Sequence, residues 1–222
     1  ELHGIAALAE ALKTNTTLSN LSLGTNPMGE VGHKTFATCL INKTRGLTKL
    51  DLSNTELDGK QPCSCPPHHQ YAPKMCTCTP ERKSGMAWLG QGLRDNSSLS
   101  SIDLSNNMLG ADGSNLLGDV LSSNGAVLHV NSSLHYINVA RNSITDAGAK
   151  RFMQAIQVNG ALLEMDLSGN EIEPQLMLDV ESWLKINRKL SSLGPSMQKL
   201  GQPKGMNEIQ AKSVMPDVVI PV

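Results

Sequence analysis

The chain has 222 residues; 39% are hydrophobic but only 3% aromatic, so any core must be mainly aliphatic. Nineteen basic residues face 20 acidic ones for a net charge of -1, which excludes nucleic-acid binding by bulk charge. No apolar run approaches the roughly 18 residues of a membrane span, and no signal-peptide pattern opens the chain. The start at Glu1, not at Met, leads us to expect a fragment of a longer chain.

Taken in order, the elements repeat. Gly4 is followed four and eight positions on by Leu8 and Leu12, the spacing of one helix face. Then comes LSNLSLGTN from Leu18, a phrase of the form apolar-x-x-apolar-x-apolar-x-x-Asn. Gly32 restarts the helix pattern with Phe36 and Leu40; Cys39, beside the second anchor, is expected to be a small buried residue. LTKLDLSNT from Leu47 repeats the strand phrase, with Thr55 in the Asn place. Gly85 opens a helix anchored by Leu89 and Leu93, followed by LSSIDLSNN from Leu99. Gly113, Leu117 and Leu121 precede LHYINVARN from Leu134. Gly148, Phe152 and Ile156 precede LLEMDLSGN from Leu162. Small residues (Ala9, Ala37, Gly90, Gly118) follow four of the first anchors, where neighbouring helices must approach closely.

The five phrases start 29, 52, 35 and 28 residues apart. A 28-residue unit leaves surpluses of 24 and 7, read as two insertions: 60–83, and the seven-residue GAVLHVN from Gly125 to Asn131. The second either lengthens a helix or forms a loop. Each unit is a short strand, a turn and a helix of about three turns. Alternate strand residues such as Leu50 and Leu52 point inward. One unit cannot bury its apolar face alone, so the units must stack. Asn26, Asn107, Asn142 and Asn170 are expected as buried amides that donate to and accept from the turns. The sequons at Asn15, Asn42, Asn96 and Asn131 have the form of glycan acceptors. Three share N-[TS]-[TS]-L wording ahead of a strand, so the repeat accounts for them.

Near the end, Pro174 suits a first helical turn. Val180 and Leu184 keep the anchor spacing, and Leu176 takes the glycine slot; 174–188 reads as a capping helix. Trp183 either covers the end of the core or is an ordinary core residue. A sixth phrase starts at Leu190 and fails at Pro195. Residues 191–222 read as a Pro/Gly-containing tail, solvated or laid along a partner.

This pattern resembles the ribonuclease-inhibitor-like class of leucine-rich repeats, over residues 1 to 190. The resemblance implies an α/β solenoid, a curved horseshoe fragment of 28–29-residue strand-turn-helix units. It would carry a parallel sheet on its concave face and helices on its convex face. The class includes enzyme inhibitors, the Ran GTPase-activating protein, innate immune receptors and axonemal scaffolds. The resemblance therefore implies a non-catalytic protein-interaction scaffold or subunit of a larger assembly, in a cytoplasmic, cytoskeletal or ciliary setting. A regulator of an enzyme, with Arg45 or Arg141 as the charge stabiliser of a GTPase activator, and a sensor fragment of an immune-type receptor stand beside it. No nucleophile set, P-loop or dinucleotide fingerprint appears, so an enzyme is not expected.

The outward concave positions are Asn20, Ser22, Lys49, Asp51, Ser101, Asp103, Tyr136, Asn138, Glu164 and Asp166, four acidic and one basic. Partner contacts are assigned to Lys49, Asp51, Asp103, His135, Tyr136, Asn138, Glu164 and Asp166. Their charge suits a protein partner with a basic segment; recurrence of Asp at one register equally suits simple repeat consensus. Tyr136 and His135 break the small polar pattern, and tyrosine is a common interface anchor.

The 60–83 insert holds Cys63, Cys65, Cys76 and Cys78, with His68 and His69 between the pairs. Four thiolates close a tetrahedral zinc site, and either histidine can replace one. Free thiols are the plain alternative, and two disulfides joining the pairs are a further one in an oxidising compartment. Five prolines deny the insert a core of its own, for which a structural zinc would compensate.

Overall fold

The computed structural model describes residues 2–41, 46–58, 84–122 and 133–192. In chain order these form α1 (Leu2–Thr14), β1 (Asn20–Ser22), α2 (Gly29–Ile41), β2 (Lys49–Asp51), α3 (Gly85–Asp95), β3 (Ser101–Asp103), α4 (Gly110–Ser122), β4 (Tyr136–Asn138), α5 (Asp146–Ile156), β5 (Glu164–Asp166) and α6 (Pro174–Ser192). The strands pair side by side in sequence order, all parallel. Each helix packs on the next, α1 on α2 through α5 on α6. This is the expected α/β solenoid of stacked strand-turn-helix units.

The helix anchors and inward strand residues form one continuous core. Phe36, Leu40, Leu89, Leu93, Leu117, Leu121, Phe152 and Ile156 are buried, as are Leu50, Ile102 and Ile137 at the middle of their strands. Burying each such side chain contributes about 1.5–3 kcal/mol relative to exposure. The first unit differs: its anchor Leu12 is buried, but its anchor Leu8, with Ile5, Leu21 and Leu23, is only partly buried. Small residues hold the helices close. A Cβ on Gly90 would sit 3.0 Å from Val120 Cγ2, and one on Gly118 only 2.6 Å from Arg151 Cγ. Cys39 is fully buried with its Sγ 3.2 Å from the Ala9 carbonyl, and burial pushes its thiol pKa up.

The turn asparagines form a ladder between repeats. Asn107 donates to the carbonyls of Leu52 and Leu104 (2.8 and 2.9 Å), and its Oδ1 accepts from the N–H of Thr55 and Leu57 (both 3.0 Å). Asn142 donates to Leu104 and Val139 (2.9 and 3.1 Å), and Asn170 to Val139 and Leu167 (3.0 and 2.9 Å). Asn170 Oδ1 accepts from Asn142 and Ile144 (2.8 and 3.0 Å). Each amide thus ties its own turn to the preceding one. Asn26 departs from expectation: it is exposed, and its amide reaches only its own turn, at the Leu23 and Gly24 carbonyls. It stands in the first turn of the described stack, with no earlier turn to bridge.

A second ladder lines the opposite edge. Oδ1 of Asn15, Asn96 and Asn159 accepts from the backbone two and three residues on, at 2.8–3.1 Å. The N-[TS]-[TS]-L wording is therefore a helix-to-strand turn, and Asn96, 4% exposed, has no room for a glycan. Asn42, Asn131, Arg45, the 125–131 insertion, the 60–83 insert and the tail beyond Ser192 lie outside the described residues.

At the far end, α6 carries Val180 and Leu184 into the core. Trp183 is half-buried and packs on both the main core and the Ile186–Leu190 pair. Leu190, where the sixth phrase starts, is still helical, and α6 runs on to Ser192.

Candidate interaction face

Strand register converts the outward positions into two rows across the concave face. One runs Asn20, Lys49, Ser101, Tyr136, Glu164; the other runs Ser22, Asp51, Asp103, Asn138, Asp166. Parallel neighbours lie about 4.8 Å apart, so residues alternating by two along a strand share this face while the residue between them enters the core.

The second row has a structural cause that sequence reading could not separate from a binding role. Oδ1 of Asp51, Asp103, Asn138 and Asp166 each accepts the backbone N–H two residues on, at 2.8–2.9 Å. These are side-chain-capped turns that end each strand. Because one oxygen suffices, the recurring Asp leaves its second oxygen to the surface. In Asp51 that oxygen takes the Ser22 hydroxyl at 2.6 Å; in Asp103 it takes the Asn138 amide at 3.0 Å. Partial burial would raise the Asp51 pKa, but hydrogen bonds from Ser22 and Ser53 outweigh it and hold the carboxyl below its ordinary value.

Free charge collects at one end. Glu164 is exposed, and its carboxylate and the second oxygen of Asp166 have no side-chain partner among the described residues. Between them and Asp103 stands Tyr136, half-buried, with its phenol pKa raised by burial first and then by Asp103, Asp166 and Glu164. All three carboxylates therefore act on the phenol through their charge. Lys49, exposed on β2, is the cation of the same face. His135 lies just before β4 on the strand-entry rim, exposed, its carbonyl accepting from Leu163 and Glu164 N–H at 2.9 and 3.0 Å. Seven of the eight assigned contact residues thus share the sheet face, and His135 lies at its edge.

Arg141 lies on the strand-exit rim in a left-handed conformation (φ 54°). It is one of five such residues at the same turn, with Thr25, Asn54, Asn106 and Gly169. Its side chain runs over Gly169, where a Cβ would meet Cγ at 2.8 Å. Among the described residues, no group of three or more His, Cys, Asp or Glu is placed to hold a metal ion, and no helix is long and apolar enough to cross a membrane. All six candidate metal ligands, Cys63, Cys65, His68, His69, Cys76 and Cys78, lie outside those residues.

The comparisons agree with the architecture. The family model described as "Leucine Rich repeat" matches residues 130–153, the unit containing β4 and most of α5. The match covers one unit, and the strand-turn-helix units stacked around it have the leucine-rich-repeat architecture. No curated protein matches it. Among solved structures, the tropomodulin C-terminal domain of Caenorhabditis elegans is similar with a TM-score of 0.59 at 16% identity, over 90% of this chain and 99% of that one. The leiomodin-1 structure described as actin-binding site 2 has a TM-score of 0.60 at 13% identity, over 87% of this chain and 95% of that one. At such identities the likeness is one of fold.

Proposed function

We propose that this chain is a non-catalytic interaction scaffold whose concave face docks a basic segment of a protein partner in a cytoskeletal assembly. The observation that carries this is the placement of Tyr136 among Asp103, Glu164 and Asp166, whose carboxylates act on its phenol oxygen. An aromatic ring beside the open carboxylates of Glu164 and Asp166 offers a lysine or arginine both a ring face and charge-assisted hydrogen bonds. A solenoid presents such groups along an extended surface and not in a closed pocket. The fold likeness to the tropomodulin domain and the leiomodin-1 actin-binding site supports the cytoskeletal setting and makes actin the first partner to test.

The test is binding of monomeric actin to the immobilised chain, compared with a D103N/E164Q/D166N variant. These changes remove charge but keep the oxygens that cap the turns. Binding by the parent that weakens with added salt and is lost in the variant is the expected result. Equal binding by both would reject the concave face as the docking surface.

A further inference from the structure

The asparagine ladder is interrupted at one rung, and a buried histidine stands there. Thr55 occupies the Asn place after β2; its hydroxyl reaches its own turn at the Leu52 carbonyl (2.9 Å) and is too short to bridge to the turn before. His33 of α2, 2% exposed, fills the gap with Nε2 3.3 Å from Thr55 Oγ1. Its ring lies against α3: a Cβ on Gly85 would be 3.0 Å from Nδ1 and 3.2 Å from Cγ. The start of α3 is held by Asp58, whose carboxylate accepts the Gly85 N–H (2.9 Å) and whose carbonyl accepts the Met86 N–H (3.0 Å). Ser84 caps the same helix through the Ala87 N–H at 3.1 Å.

We infer that the seat of His33 is an acid-sensitive latch between α2 and α3, which an imidazolium cannot keep. A buried cation there has one hydroxyl, the Gly29 backbone and no carboxylate of its own. Asp58 is the charged group that acts on the ring, and it is committed to the α3 N-terminus. Lys34 of α2 lies over the Trp88 ring (4.7 Å), Glu56 is exposed, and α3 presents Gly85 at the contact. Protonation therefore either expels the ring or draws Asp58 from its cap, and both loosen the same junction. Burial lowers the His33 pKa, against smaller upward effects of a Gly29 backbone bond and Asp58. With the folded value below the unfolded one, the stability His33 confers is complete above about pH 6.5. It is lost as pH falls below that, by up to about tenfold in the folding equilibrium per pH unit. Asp58 and Ser84 flank 59–83, so the latch sits where the cysteine-rich insert leaves and rejoins the repeats.

The test is amide hydrogen exchange of α3, corrected for intrinsic rate, at about pH 7.5 and about pH 5.5. In the parent chain, protection is expected to drop between these values by up to about tenfold; in H33N it should not. An unchanged parent, or an H33N variant with the same drop, would overturn the inference. If H33N does not fold, the imidazole of His33 is titrated by NMR in the parent. A midpoint below the ordinary histidine value supports the latch, and one at or above it overturns it.

Discussion

Replacing Asn107 by alanine tests the ladder where it bears most. Asn107 is 7% exposed, and its Oδ1 receives the N–H groups of Thr55 and Leu57, for which no other partner stands among the described hydrogen bonds. The carbonyls that accept from its amide are better backed up: the Leu52 carbonyl keeps the Thr55 hydroxyl, and the Leu104 carbonyl keeps the Asn142 amide. The loss is therefore dominated by two orphaned buried donors at about 1–3 kcal/mol each, for a total of about 3 kcal/mol. Asn26→Ala is the internal control, since that amide is exposed and makes bonds only within its own turn; about 0.5 kcal/mol is expected. Urea unfolding followed by circular dichroism measures both. Trp88 and Trp183, on α3 and α6, report by fluorescence whether the middle of the stack and its last helix unfold together. Equal losses in the two variants, or a loss below about 1 kcal/mol for N107A, would refute the idea that cross-repeat amide bonds hold the turns.

Tyr136→Ala should weaken partner binding by about 2 kcal/mol, roughly thirtyfold, in an isothermal titration, while leaving the urea midpoint nearly unchanged. Gly148→Ala should cost about 1–3 kcal/mol in urea unfolding, because its Cβ would lie 2.4 Å from Ser114 Oγ and 2.7 Å from Ile144 Cγ2. Gly4→Ala, which meets nothing within 4 Å, should instead gain about 0.5 kcal/mol. Ser22→Ala removes a bond to the ionised Asp51, so NMR titration should show that carboxyl moving up. Asp51's stabilising contribution, present above the ordinary carboxylate pKa and lost as pH falls through the folded value, should shrink accordingly. One zinc ion per chain is the proposed occupant of Cys63, Cys65, Cys76 and Cys78; elemental analysis should find about one equivalent. Substoichiometric metal with all four thiols reactive would remove the proposal.

The repeat was legible because stacking imposes a period that leucines, asparagines and glycines all keep. A Cβ at Gly90 or Gly118 would meet the next helix, so a small residue at that slot announces close packing before any coordinates exist. Boundaries were less legible: α2 and α4 begin at Gly29 and Gly110, three residues before the glycines that mark their units. Those starting glycines have positive φ (58° and 56°), a turn geometry no hydrophobic period encodes. The concave positions could be placed on one face from period two alone. Their division of labour could not, because Asp51, Asp103 and Asp166 cap turns with one oxygen, while the second is taken by Ser22 in Asp51 and by Asn138 in Asp103. The His33–Thr55 contact escaped altogether. Thr55 stood out as an exception in its phrase, but its partner lies 22 residues earlier on a helix.

The most direct test of the docking claim is a map of backbone amide shifts as a short lysine- and arginine-rich peptide is titrated into the chain. Shifts should concentrate at Tyr136, Glu164 and Asp166, fade with salt, and vanish in D103N/E164Q/D166N. Shifts confined to the convex helices, or unchanged in that variant, would contradict the account.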